Sequence, residues 1–161
     1  MNIAEGFLLE FDPEMTNTRS ILELVPDNLL EWKAHNDLNT IGWLSSHIAD
    51  TLSWTEAILT DTSFDVAPAG GEPHRSPVFG SAAETLKAFD VNVGNARELI
   101  AKATDQEMFV PWALLQGGEE LFSMPRIAVI KTFLINHLVH HRAFLIAYLR
   151  MNDIACPSMY G

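Results

Sequence analysis

The chain is poor in cysteine, in positive charge and in long apolar runs, and each shortage removes a class of explanation. One cysteine among 161 residues, Cys156, cannot build an internal disulfide framework. No apolar run reaches the ~18 residues of a membrane span. The opening Met-Asn-Ile-Ala-Glu-Gly has none of the positive charge that precedes the apolar core of a signal segment. Together these features lead us to expect a soluble, cytoplasmic protein. Ten Lys and Arg stand against twenty-one Asp and Glu, a formal charge of -11. Nucleic-acid binding draws its affinity from clustered cations, whereas Lys33, Lys87, Lys102 and Lys131 are scattered singly. Neither a nucleic acid nor an anionic membrane is an expected partner.

What remains is an ordinary globular composition, 48% hydrophobic and 19% charged. The length fits a single domain over residues 1–161, which would bury roughly two-thirds of its unfolded surface. Four segments carry helical periodicity. The first spans about 3–24, and Pro13 either kinks it or marks its true start. Val25-Pro26-Asp27-Asn28 reads as a turn. The second spans about 40–59, behind capping candidates Asn39 and Thr40. A loop rich in proline and glycine covers 60–80, long enough to expect a functional role or partial disorder. Ser81-Ala82-Ala83-Glu84 is a capping box opening the third helix. Residues 109–124 read as a hairpin turning at Gln116-Gly117-Gly118-Glu119. Pro125 then suits the first turn of a fourth helix reaching about 150. One long crossover among short connections predicts an all-α four-helix bundle with a small β-hairpin before the last helix.

The histidines carry the chemical signal. On a wheel of about 100° per residue with His137 at zero, Ile130, Phe133, Leu134, Phe144 and Tyr148 all fall within about 60°, and His141 near +40°. Lys131, Arg142 and Arg150 fall on the other side. The wheel therefore predicts two imidazoles at the centre of an apolar face, with His140 at its edge. On the second segment Trp43, Leu44, Trp54 and Ile58 lie within about 60° of His47. Asp50, one turn from His47, is a candidate to orient that ring or to act as a base.

A single inward histidine is usually a core residue satisfied by a carbonyl or hydroxyl. Three on facing helices are harder to explain so, because a buried nitrogen without a partner costs roughly 1–3 kcal/mol. A divalent metal shared by His47, His137 and His141 satisfies one nitrogen of each. Imidazoles suit zinc, nickel, iron or copper, and three protein ligands leave a position for water or substrate. The pattern His-Glu-x-x-His is absent. A carboxylate-bridged di-iron site is excluded as well, because leucines (Leu44, Leu134 and Leu138) stand three before the three histidines.

Asn136-His137-Leu138-Val139-His140-His141-Arg142-Ala143-Phe144-Leu145 closely resembles the signature of DinB-like (DinB/YfiT-type) proteins. Ile41 to Ala49, Pro111-Trp112 through Met124-Pro125, Leu149 to Asn152 and Pro157 to Gly161 are similar to that family too, so the likeness covers nearly the whole chain. It implies an up-down-down-up four-helix bundle, usually a homodimer. It also implies a divalent metal on three histidines, mapping to His47, His137 and His141. Characterised relatives include transferases and isomerases dependent on a low-molecular-weight thiol such as bacillithiol, mycothiol or glutathione.

Three functional readings follow. The resemblance favours a thiol-dependent S-transferase or isomerase in which the metal activates the thiol of a small cofactor against a small-molecule substrate. The same open position could instead activate water in a hydrolase, with Asp50 as base. The third is a non-catalytic, stress-linked metal-binding protein. Trp32, Trp43, Trp54 and Trp112 are pocket candidates, although tryptophans at helical spacing more often pack. His74 reads as a solvated loop residue, His35 as exposed, and Cys156 as incidental for want of a neighbouring base.

Overall fold

The computed structural model describes residues 1–161. Helix α1 (Ile3–Leu22) is set by a full capping box, in which Asn2 accepts from the Glu5 amide and the Glu5 carboxylate accepts from the Asn2 amide. It continues through Pro13, so of the two sequence expectations the later start is excluded. The apolar positions Phe7, Phe11, Met15 and Leu22 are buried along it. A short 3-10 turn (Asp27–Leu29) leads into a strap that crosses the start of α2 (Ile41–Thr51). There the Gly42 amide donates to the Leu30 carbonyl at 2.8 Å. A Cβ at Gly42 would stand 2.9 Å from that same oxygen, so glycine is what allows the approach.

The second periodic segment is two helices. Helix α2 ends at Thr51, and α3 (Trp54–Thr60) begins after a break at Leu52 and Ser53. Beyond it the crossover contributes an unexpected strand, β1 (Ser63–Asp65), before α4 (Ala82–Lys102). Ser81 caps α4 by accepting from the Glu84 amide. The Glu84 carboxylate, however, takes the Gly80 amide rather than that of Ser81, so the capping box is only half formed. A short helix α5 (Asp105–Met108) precedes the hairpin of β2 (Pro111–Gln116) and β3 (Glu119–Pro125). Gly117 and Gly118 form its two-residue turn with φ of 62° and 84°, a backbone only glycine enters freely. Strand β1 pairs parallel to β2, and the sheet order is β1-β2-β3. Asp65 ties crossover to hairpin by accepting from both turn amides, at 3.0 and 2.7 Å. Those amides hold its carboxyl below the usual carboxylate range, against a small opposing burial effect.

The last helical stretch starts at Pro125, as expected, but it is not uniform. Helix α6 (Arg126–Val129) passes into a π-helical segment (Ile130–Asn136) and then into α7 (His137–Met151). The long helices pack pairwise in a ring, α1 on α4, α4 on α2, α2 on α7 and α7 on α1. Exposed bidentate pairs, Arg19 with Asp90 and Arg97 with Asp12, bridge α1 and α4. Pairs of that exposure contribute about 0.2–1 kcal/mol each, so apolar burial holds the ring. The molecule is thus mostly helical with a small three-stranded sheet. No helix is long and apolar enough to cross a membrane.

Candidate metal centre

Helix α2 presents His47 and the first turns of α7 present His137 and His141, all three half-buried. Their Nε2 atoms converge. His137 Nε2 lies 3.3 Å from His47 Nε2 and 2.7 Å from His141 Nε2. One nitrogen from each ring lies within 4.8 Å of the other two, a geometry that can hold a metal ion. Nitrogens held at ~2.0–2.1 Å around one tetrahedral ion stand ~3.3 Å apart, so the observed cluster is close to that size.

Backbone and aromatic neighbours orient the rings. Trp43 stacks flat on His47, with centroids 4.6 Å apart and planes at 16°, and meets His141 edge-on at 5.9 Å. The π segment supplies the support for His137. Its backbone bonds reach back five residues (the His137 amide to Thr132), and the Phe133 carbonyl accepts from the His137 ring. A ring nitrogen engaged with a carbonyl leaves the other free to act as a ligand, the usual arrangement around metal-bound imidazoles. The Nδ1 atoms of His47 and His141 are buried without a partner.

The electrostatics favour neutral rings. Burial lowers the pKa of His47, with His137 adding to the effect and Asp50 opposing it. Burial also lowers that of His137, against the bond to Phe133. His141 is pushed down to about 4 by burial and by the three neighbouring imidazoles, His137, His47 and His140. All three thus keep their lone pairs at neutral pH, as metal ligation requires.

A cavity of about 170 Å³ adjoins this cluster. His47 and His137 line it together with Thr51, Trp54, Ile58, Trp112, Leu114 and Phe133. The crossover adds Val66 and Ser76 to its wall. That loop is fastened beside the site, because the Phe79 amide donates to the Ser46 hydroxyl at 2.9 Å. Of the four tryptophans, Trp54 and Trp112 are cavity walls, Trp43 braces the histidines and Trp32 packs edge-on against Tyr148.

Several sequence expectations need correction. The wheel placed the imidazoles at the centre of the buried face, but Leu138, Leu145 and Leu149 occupy that centre. The histidines stand at its rim. Phe133 and Phe144, expected inward, are 36% and 42% exposed. Arg142, expected outward, is only 1% exposed. The cause is that α7 packs on both α1 and α2, so its buried arc is centred between those neighbours rather than on the histidines. The helical step assumed for Ile130 and Phe133 also fails within the π segment.

Asp50 is buried, but its only side-chain bond is from Ser53 at 3.3 Å, and its other oxygen has no partner. It does not line the cavity. His140 is exposed, stacked edge-on against His141 and Phe144. His74 is exposed on the crossover, edge-on to Trp54 and Phe64. His35 is exposed too, and burial raises the pKa of Cys156.

The profile of the DinB superfamily matches residues 10–145, which include all three converging histidines. The chain belongs to that superfamily. Among solved structures, it is similar to a DinB-like protein from Bacillus cereus ATCC 10987 at 26% identity, with a TM-score of 0.73 over 99% of this chain and 98% of that one. It also shares its fold with a DinB-like protein from Bacillus subtilis at 13% identity, with a TM-score of 0.66 over 92% and 94% of the two chains. No curated protein matches this sequence. Membership agrees with the resemblance carried by the motif at Asn136–Leu145, while the sequence alone had not revealed the third strand or the π segment.

Proposed function

We propose that this DinB-superfamily chain is a metalloprotein in which Nε2 of His47, His137 and His141 holds one divalent ion, and that it acts as a low-molecular-weight-thiol-dependent S-transferase or isomerase. The convergence of three neutral imidazole nitrogens at the end of a cavity carries this reading. Bound there, a divalent ion such as zinc, nickel or iron supplies Lewis acidity that favours the thiolate form of a coordinated thiol. The protein's own residues orient and shield. Trp43 fixes the His47 ring, the Phe133 carbonyl fixes His137, and the aromatic cavity excludes water from the reacting centre.

Thiol chemistry is favoured over hydrolysis because no carboxylate lines the cavity to serve as general base for water. Asp50, the sequence candidate, sits outside it. We read the ring of helices as the up-down-down-up bundle, α1, α2 with α3, α4, and α6 to α7, a reading supported by their pairwise packing. We take the protein to be a cytoplasmic homodimer, as the resemblance implies.

The test is metal analysis of the purified protein followed by conjugation of monochlorobimane with glutathione, bacillithiol or mycothiol. One equivalent of metal is expected, with conjugation abolished by chelation and in His137→Ala. A protein that retains no divalent metal, or that turns over electrophile without thiol, would overturn the proposal.

A further inference from the structure

The cavity beside the histidines is built for an uncharged group. Its walls are the indoles of Trp54 and Trp112, the phenyl ring of Phe133 and the aliphatic side chains of Ile58 and Leu114. The polar atoms among them are already engaged. The Trp112 indole N–H donates to the Ala57 carbonyl at 3.0 Å, and the Thr51 hydroxyl donates to the His47 carbonyl at 2.7 Å. No Lys, Arg, Asp or Glu lines the space, so a charged group placed there would lose its hydration with no counter-ion to replace it.

Size narrows the class further. An apolar cavity of about 150 Å³ stays dry and accepts a benzene molecule, and this one is about 170 Å³. Three aromatic side chains offer edges and faces that favour another ring over an alkyl chain. At one end stand His47 and His137, so a ring seated in the cavity presents its substituent to the imidazole cluster.

The geometry points to a single-ring, uncharged aromatic group as the part of the substrate that this cavity holds, with the reacting atom one or two bonds from the ring. Assigning that group to a substrate rests on the metal-centre reading above; its binding in the cavity does not. Charged and multi-ring compounds are excluded by the same walls.

The test uses the full-length, metal-free protein labelled with nitrogen-15 and titrated with toluene, benzoate or naphthalene. Toluene is expected to shift the indole signals of Trp54 and Trp112 in a saturable way and to leave Trp32 unmoved. Benzoate and naphthalene should bind at least about tenfold more weakly. Val66→Phe narrows the wall from the crossover side and should weaken toluene at least about tenfold while the rest of the spectrum stays native. If Val66→Phe fails to fold, unlabelled toluene competing with benzyl alcohol on the wild-type protein gives the same readout. Absence of saturable toluene shifts, or equal binding of benzoate, would overturn the inference even where metal binds. Toluene binding in a protein that takes up no metal would instead remove the proposed function and leave the cavity assignment standing.

Discussion

Arg142 and His141 are neighbours in sequence, yet they belong to buried polar clusters of opposite character. Arg142 is finished within the chain. Its guanidinium donates to the Glu14 carbonyl at 3.1 Å, to the Thr18 hydroxyl at 3.0 Å and to the Tyr160 hydroxyl, and it pairs with the Glu14 carboxylate at 2.7 Å. Tyr160 in turn donates to Glu14 and lies under the guanidinium, 5.6 Å from ring centroid to carbon. The histidine cluster is unfinished, with three Nε2 atoms facing one another and two Nδ1 atoms unpartnered. A buried polar group satisfied by its own chain fixes structure, here by clasping the tail to α1. One left unsatisfied loses stability that only a ligand restores.

The comparison can be broken, and the largest expected effect comes from its satisfied half. Arg142→Ala should lower stability by about 3–5 kcal/mol in urea unfolding, because it strands Glu14 against a desolvated surface. A loss no larger than at a surface position would deny the cluster its structural role. Next, His137→Ala should weaken zinc binding by at least about 100-fold, beyond the range typical for losing a supporting partner alone. The same change should alter metal-free stability by about 1 kcal/mol or less, which calorimetry with and without zinc would check. A large metal-free loss would mean that the imidazoles are structural after all.

Smaller effects sharpen the contrast. Tyr160→Phe keeps the ring over Arg142 and removes one hydroxyl, so about 1 kcal/mol should be lost. The last test is pH. Unfolded histidine titrates near ~6.5, whereas native His141 does so at about 4. Between those values the unfolded chain binds protons that the native cluster refuses, so metal-free stability should fall as pH drops from 6.5 toward 4 and stay flat above 6.5. Zinc should leave in the same window, since only neutral rings bind it. The carboxylates of Asp65, Glu98 and Glu107 are depressed, so their contributions vanish at the acid end of the scan. A thermal midpoint that does not move between pH 6.5 and 4 would contradict the cluster's burial.

Local chemistry made much of this legible in the sequence. Thr40 and Ser81 cap their helices because a side-chain oxygen three residues from an amide has few other uses. Gly117-Gly118 makes a turn for equally local reasons. Convergence of His47 with His137 and His141 was readable because spacing of four puts two rings on one side of a helix. Other features depend on residues far apart in the chain. Asp65 reaches the hairpin turn from 52 and 53 residues away. Arg142 looks like a surface cation until Glu14, 128 positions earlier, is packed against it. Wheel arithmetic cannot say which neighbours a helix has, and so it mistook the rim of the buried face for its centre.

The π segment has a consequence for how this chain tolerates change in length. A helix whose bonds span five residues holds one more residue per turn than its neighbours need. Deleting one position between 130 and 136 would therefore convert the stretch to ordinary α-helix and rotate α6 against α7 by about 100°. Phe133 and its carbonyl would swing away from His137, while His137 and His141 kept their own spacing. An insertion of one residue, preserved in the helix, is thus what sets the phase between the hairpin end of the molecule and its imidazoles.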